Sequence, residues 1–129
     1  MKIGLDYGGV ISNDPKLWTK VLSDAKGRGL DIFIISHAQP GDDLQLRKDF
    51  ASSVGIADLS FSDLKSSQET EIAKRKADIC EYYDIELFID DDIYTTNNIG
   101  RQCNKCATLY APQSIWKVSL CIIDGLSRL

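Results

Sequence analysis

The chain has 129 residues, a length typical of one domain, with 43% hydrophobic and 26% charged residues. These fractions are close to globular averages and argue against a disordered or fibrous chain. The net charge of -4 does not favour nucleic-acid binding, because cations are not in excess. No apolar run approaches the roughly 20 residues that cross a membrane. The chain contains 4 cysteines and no export signal, which predicts free thiols in a reducing cytoplasm.

Short apolar runs alternate with helical patterns along the chain. In chain order we predict a strand at 3–5, a helix from 15 to about 27, a strand at 30–35 and a helix at 41–54. There follow a short strand at 57–61, a helix ending near 83, a strand at 87–89, a helix at 96–102, a strand at 107–110 and a C-terminal helix from 112. Continuous apolar strands are typical of a parallel sheet covered by helices on both faces, so we expect an α/β fold.

The clearest predicted strands end in polar residues. Asp6 follows the first, Ser36 and His37 follow the second, and the paired acids Asp90 and Asp91 follow the fourth. The carboxyl ends of parallel strands share one edge of the sheet, where ligands bind in open α/β folds. Carboxylates gathered there would repel each other unless a cation lay between them, and oxygen ligands favour Mg²⁺. A Mg²⁺ ion beside a hydroxyl group and glycine-rich backbone suits a phosphate.

These motifs resemble those of the haloacid-dehalogenase-like hydrolases. In that family an apolar strand ends in D-x-D-x-[TV], a second ends in Ser or Thr, a helix carries a lysine, and a later strand ends in paired acids. The matching residues here are Asp6 to Val10, then Ser36, then Asp90 with Asp91. The resemblance covers nearly the whole chain. It implies a three-layer Rossmann-like sandwich with strand order 3-2-1-4-5. The length predicts one domain over residues 1–129, and the short segment between Val10 and Ser36 leaves no room for the cap domain that many family members insert there.

The family's lysine must be chosen among Lys65, Lys74 and Lys76. Lys76 lies one helical turn after Ile72 and one before Cys80, on a stripe that should face the core. A charge on such a stripe is costly unless it is paired. Lys74 should point to water instead. We therefore predict that Lys76 meets the acids at the edge of the sheet.

The resemblance implies a Mg²⁺-dependent phosphomonoester hydrolase that works through an aspartyl-phosphate. Asp6 would be the nucleophile and Lys76 would neutralise it, so these are the expected catalytic residues. The implied metal ligands are Asp6, the carbonyl of Gly8, Asp90 and Asp91. The implied phosphate ligands are Ser36 and the backbone amides of Tyr7, Gly8 and His37. The expected partner is a phosphorylated small molecule or macromolecule.

The sequence departs from the family at Gly8, where the family has a second aspartate that protonates the leaving group and activates water. General acid–base catalysis contributes typically ~10²–10⁴-fold, so this loss should slow the reaction. His37 could partly replace the acid, or it could act only through its backbone amide. The alternative function is a noncatalytic module that keeps the metal and phosphate pocket and binds a ligand or partner. Because Asp6 and Lys76 are both present, the sequence favours the enzyme.

Three further patterns have structural interpretations. Cys103 and Cys106 form a lone CxxC, which lacks the second pair that a structural zinc site needs and does not follow the first strand, as a redox motif would. Asp92 should cap the helix that follows it. The C-terminal helix is apolar on more than one face, which predicts packing on the sheet and a contact between two copies of the chain.

Overall fold

A single parallel sheet forms the centre of the protein, whose computed structural model describes all 129 residues. Its strands are β1 (Lys2–Leu5), β2 (Asp31–Ile34), β3 (Ala57–Asp58), β4 (Leu87–Asp90) and β5 (Ala107–Tyr110). The spatial order is β3-β2-β1-β4-β5, and every neighbouring pair is parallel. The predicted α/β fold and strand order are therefore confirmed.

Helices cover both faces of this sheet. They are α1 (Pro15–Gly27), α2 (Asp42–Val54), α3 (Glu69–Tyr82), α4 (Ile93–Gln102) and α5 (Lys117–Ser127). One core cluster joins the sheet to α1, α2 and α5 through buried residues such as Trp18, Phe50 and Ile123. A second cluster joins the other face to α3 and α4 through Ala77 and Ile99. The sheet thus lies between two helical layers, as a three-layer fold requires.

The central strand β1 is closely packed on both faces. A Cβ atom at Gly4 would lie 2.8 Å from Ile35 Cδ1 and 2.9 Å from Phe88 Cδ1, so a larger residue would force these side chains apart. Trp18 is fully buried in the other core cluster, and its Nε1 donates to the Val10 carbonyl oxygen at 3.0 Å. This bond ties the loop after β1 to α1, and that loop contains the first residues of the site described below.

The strand predicted at 57–61 is shorter in the structure. β3 ends at Asp58, whose Oδ1 accepts the amide of Ser60 at 3.1 Å, and the Leu59 amide makes the last bond of this strand to β2, donating to the Ile34 carbonyl oxygen at 2.8 Å. Pairing resumes at Phe61, whose amide donates to the Ser36 carbonyl oxygen at 3.0 Å. A local side-chain bond therefore interrupts the strand that the apolar pattern predicted.

The helix predicted at 96–102 is longer in the structure and begins at Ile93. Asp92 caps it, since Asp92 Oδ1 accepts the amide of Tyr94 at 3.2 Å, which confirms the predicted cap. The predicted C-terminal helix begins with a 3₁₀ turn, Gln113–Ile115, before α5. Val118 remains exposed on α5, and the contact between two copies stays a prediction.

The connections around the site edge of the sheet are short. Between β1 and β2 lie only the 3₁₀ turn Ile11–Asn13 and α1, and between β2 and α3 lie only α2 and β3. A single domain without a cap over residues 1–129 stays a prediction. None of the helices combines the length and apolar character needed to cross a bilayer.

Candidate functional site

Three strands bring predicted site residues to one edge of the sheet. Asp6 follows β1, Ser36 lies just beyond β2, and Asp90 is the last residue of β4. All three are buried, with exposed fractions of 7% for Asp6 and 0% for Ser36 and Asp90. The Asp6 amide donates to the Ile89 carbonyl oxygen at 3.0 Å. Pairing between β1 and β4 therefore places the two acids side by side.

Asp6, Asp90 and Asp91 form an acidic cluster. One carboxylate oxygen of each residue lies within 4.8 Å of those of the other two. Asp91 is partly buried, and its Oδ2 accepts from Gln113 Nε2 at 3.0 Å. The loop after β1 comes so close that a Cβ at Gly9, where φ is +75°, would lie 1.9 Å from Asp91 Oδ2. Clustered carboxylate oxygens are the donors that a hard divalent cation prefers.

The structure brings Lys76 to this acidic cluster. The Lys76 side chain is 6% exposed, and its Nζ lies 2.7 Å from Asp90 Oδ2 and 3.4 Å from Asp6 Oδ1. Lys74 is exposed instead and pairs with Asp78 at 2.8 Å. Burial lowers the pKa of Lys76, but the charges of Asp6 and Asp90 outweigh burial and hold this pKa above its usual value. Lys76 is therefore an ammonium ion at neutral pH.

The charges at this edge do not balance when the acids are ionised. The cluster has three carboxylates, and the one ammonium group beside it, that of Lys76, contacts Asp6 and Asp90, which leaves a surplus of negative charge. Burial raises the pKa of Asp90, the charge of Asp6 raises it further, and Lys76 opposes both. A divalent cation would neutralise the surplus, and the donor set suits Mg²⁺.

The backbone amides predicted to hold a phosphate differ in availability. The Tyr7 amide donates to Asp6 Oδ1 at 3.0 Å, so it already has a partner within the protein. The Gly8 amide has no hydrogen-bond partner, and Gly8 is partly exposed. His37 Nε2 lies 2.7 Å from the Leu64 carbonyl oxygen, which requires the proton on that nitrogen. The imidazole is thus bonded to the loop before α3 rather than to the acidic cluster.

Arg47 of α2 is a further buried charge at this edge and was not among the residues predicted from the sequence. It is 7% exposed, its Nε donates to Ser36 Oγ at 3.1 Å, and its guanidinium carbon lies 4.9 Å from the centre of the Tyr7 ring. The sequence held a signal for it, because Arg47 shares a helical stripe with Phe50 and Val54, as Lys76 does with its apolar neighbours.

All the cysteines are free thiols. Cys80, Cys103 and Cys106 are buried in the core cluster beneath α3 and α4, whereas Cys121 is exposed on α5. The predicted free thiols are therefore present, and the CxxC pair contributes to packing.

Comparisons with known proteins found similarity only at the level of the fold. No protein-family model matches the chain, and no curated protein matches it. Among solved structures it is similar to a universal stress protein described in complex with cAMP. The TM-score is 0.51 and the sequence identity 8%, over 85% of this chain and 96% of that one. At this identity the similarity establishes the fold alone.

The predicted membership in the haloacid-dehalogenase-like family is wrong on these findings. No family model supports it, and the similar structure is a universal stress protein. The same findings contradict the predicted Mg²⁺-dependent phosphatase activity and the assignment of the protein as an enzyme. There is a physical reason as well, since Gly8 provides no carboxyl group where a general acid–base would act. Many parallel α/β folds place polar residues at the carboxyl ends of adjacent strands, because ligands bind at that edge of the sheet. Acids in these positions therefore do not identify one family.

Proposed function

We propose that the protein is a noncatalytic binding module that holds Mg²⁺ and a phosphate-bearing small molecule at the carboxyl edge of the sheet. The observation that carries this proposal is the acidic cluster, in which one oxygen of each acid lies within 4.8 Å of the other two and the buried Lys76 contacts Asp6 and Asp90. Ion pairing with Lys76 compensates only part of the charge, so a divalent cation and its own ligand would complete the site.

The hydrogen bonds of the acids indicate which oxygens would hold the cation. Asp90 Oδ2 is bound to Lys76, and Asp90 Oδ1 accepts the Asp92 amide at 3.0 Å. Asp6 Oδ2 and Asp91 Oδ1 accept no hydrogen bond from the protein, so they are the oxygens free for Mg²⁺. The carbonyl of Gly8 is the further ligand proposed. Asp90 then serves mainly to hold Lys76 in place.

The phosphate would lie between the cation and the end of β2. Ser36 Oγ and the Gly8 and His37 amides are the proposed ligands, because neither amide donates within the protein. The Tyr7 amide orients the Asp6 carboxylate instead. The solved structure of similar fold supports the same class of small ligand, since its description names a phosphate-bearing nucleotide, cAMP.

Binding without turnover follows from the groups around the proposed phosphate. Hydrolysis of an ordinary ester needs a group that protonates the leaving oxygen. Gly8 has no side chain, and the His37 imidazole is bonded to the Leu64 carbonyl oxygen. Asp6 and Lys76 are therefore assigned to binding and charge compensation.

Calorimetric titration of AMP, with and without Mg²⁺, tests this proposal. We expect binding that requires Mg²⁺ and is at least about tenfold weaker in Asp91→Asn, because a carboxylate charge in a partly buried site contributes about 1.4 kcal/mol or more. Asp24→Asn is the matched control, an exposed acid of α1 near the opposite edge of the sheet, and should bind as the wild type does. The protein should release no phosphate from AMP, whose alkoxide leaving group needs a general acid.

Two results would contradict the proposal. Absence of Mg²⁺-dependent AMP binding by the folded wild type would exclude the binding function. Phosphate release that Asp6→Asn abolishes would exclude a noncatalytic module.

A further inference from the structure

Arg47 is held in one orientation by most of its N–H donors. Its Nε donates to Ser36 Oγ at 3.1 Å, and its Nη1 donates to the Asp43 carbonyl oxygen at 3.1 Å and to the Asp43 carboxylate. Its Nη2 donates to the His37 carbonyl oxygen at 3.4 Å. The second Nη2 proton has no acceptor within the protein, although buried donors are generally paired.

This spare donor lies beside Gly8. A Cβ atom at Gly8 would lie 3.8 Å from Arg47 Nη2, an ordinary contact distance, and would meet no other atom within 4 Å. Gly8 does not have a positive φ, so its backbone conformation does not require glycine. The missing side chain therefore leaves an open space beside Arg47 Nη2, next to a residue whose backbone amide is unpaired.

The edge of the sheet has two parts with opposite charge preferences. The acidic cluster attracts a cation, and Lys76 there is already shared by Asp6 and Asp90. Arg47 has a single carboxylate partner, Asp43, and retains a donor. It is therefore the cation better placed to meet an anion.

We propose that Arg47 and Gly8 form an anion subsite next to the acidic cluster, in which Arg47 Nη2 and the Gly8 amide bind unesterified phosphate oxygens. The subsite rests on the proposed function, because the same phosphate would contact the cation. It makes glycine at position 8 a determinant of ligand charge. A carboxylate at this position would pair with Arg47 and weaken the binding of an anionic ligand.

Inorganic phosphate, titrated by calorimetry in the presence of saturating Mg²⁺, is the probe for this subsite. We expect Arg47→Lys to bind phosphate at least about tenfold more weakly, because a charge-assisted hydrogen bond is lost. Gly8→Asp should bind at least about tenfold more weakly than Gly8→Asn, which has the same size without the charge. Mg²⁺ binding in the absence of phosphate should be unchanged in Arg47→Lys.

Arg101→Lys is the matched control, since Arg101 is an exposed residue of α4, and it should keep wild-type phosphate affinity. Unchanged phosphate affinity in Arg47→Lys, or equal affinities in Gly8→Asp and Gly8→Asn, would overturn the subsite while the wild type still bound Mg²⁺ and phosphate. A wild type that bound neither would overturn both proposals. The two Gly8 variants keep the test decisive if Arg47→Lys does not fold.

Discussion

Replacing Lys76 with methionine removes the cation from the acidic cluster and keeps the apolar stem. Lys76 Nζ lies 2.7 Å from Asp90 and 3.4 Å from Asp6, and the three side chains are at most 10% exposed. Removing one partner of a buried ion pair costs about 3–5 kcal/mol, because the other charge stays buried without compensation. Domains are stable by only about 5–15 kcal/mol, so Lys76→Met should lose a large part of its free energy of unfolding at pH 7.

The size of this loss should depend on pH with a definite sign. Burial and the charge of Asp6 already hold the pKa of Asp90 above its usual value, and removing Lys76 raises this pKa further. A carboxyl group with a raised folded-state pKa stabilises the fold fully below its unfolded-state pKa of about 3.9. That contribution disappears as pH rises through the folded-state pKa. Lys76→Met should therefore be closest to the wild type in acid and furthest from it at neutral pH.

Urea denaturation followed by circular dichroism measures this effect, with Lys74→Met as the matched control. Lys74 lies on the same helix but pairs with Asp78 at the surface, so its loss should cost at most about 0.5 kcal/mol. Added Mg²⁺ should restore part of the stability of Lys76→Met by binding to the acids that have lost their ammonium partner. Equal losses in the two variants, or a loss in Lys76→Met that does not change with pH, would refute this reasoning.

Three further predictions concern the fold. Gly4→Ala should lower the free energy of unfolding by about 1–3 kcal/mol, because its Cβ overpacks the core, and a loss near zero in urea denaturation would contradict this. Asp92→Ala should cost about 1 kcal/mol through the lost cap of α4, with Asp92→Asn retaining most of that stability. Exposed Cys121 should react first with a thiol reagent, whereas Cys103, whose pKa burial raises to about 11, should react only on unfolding. Equal labelling rates would show that the buried thiols are accessible.

Much of the fold could be predicted because local patterns and global topology agree. Continuous apolar runs separated by helical stripes leave few arrangements besides a parallel sheet between two helical layers. The end of β3 could not be predicted, since it depends on a bond from the Ser60 amide to the Asp58 side chain within an apolar segment. The start of α4 was missed although Asp92 was predicted as its cap, because Thr95 and Thr96 weaken the helical pattern.

The candidate site was predictable where it depends on strand ends. Asp6, Ser36 and Asp90 follow adjacent strands, so parallel pairing alone brings them together. The orientation of His37 depends on the Leu64 carbonyl in a distant loop, which no local pattern indicates. The helical stripe of α2 predicts that Arg47 is buried. No sequence pattern predicts that its Nη2 group keeps an unpaired donor beside Gly8, because this depends on how α2 packs against the loop after β1.

The family assignment failed for a different physical reason. Acids and a hydroxyl at strand ends follow from where an open parallel sheet exposes its carboxyl edge, so they do not identify one family. Gly8 is the departure from the family that favours the proposed binding function over hydrolysis, because it removes the acid–base group and keeps a carbonyl for the proposed metal site.

The central claim is that the acidic cluster holds a divalent cation, and titration of Mg²⁺ alone into the wild type and Asp91→Asn tests it most directly. Asp91 is partly buried and lies outside the Lys76 ion pairs, so the variant should fold. We predict one Mg²⁺ site in the wild type and binding at least about tenfold weaker in Asp91→Asn. Equal affinity in the two proteins, or no Mg²⁺ binding by the folded wild type, would contradict the account.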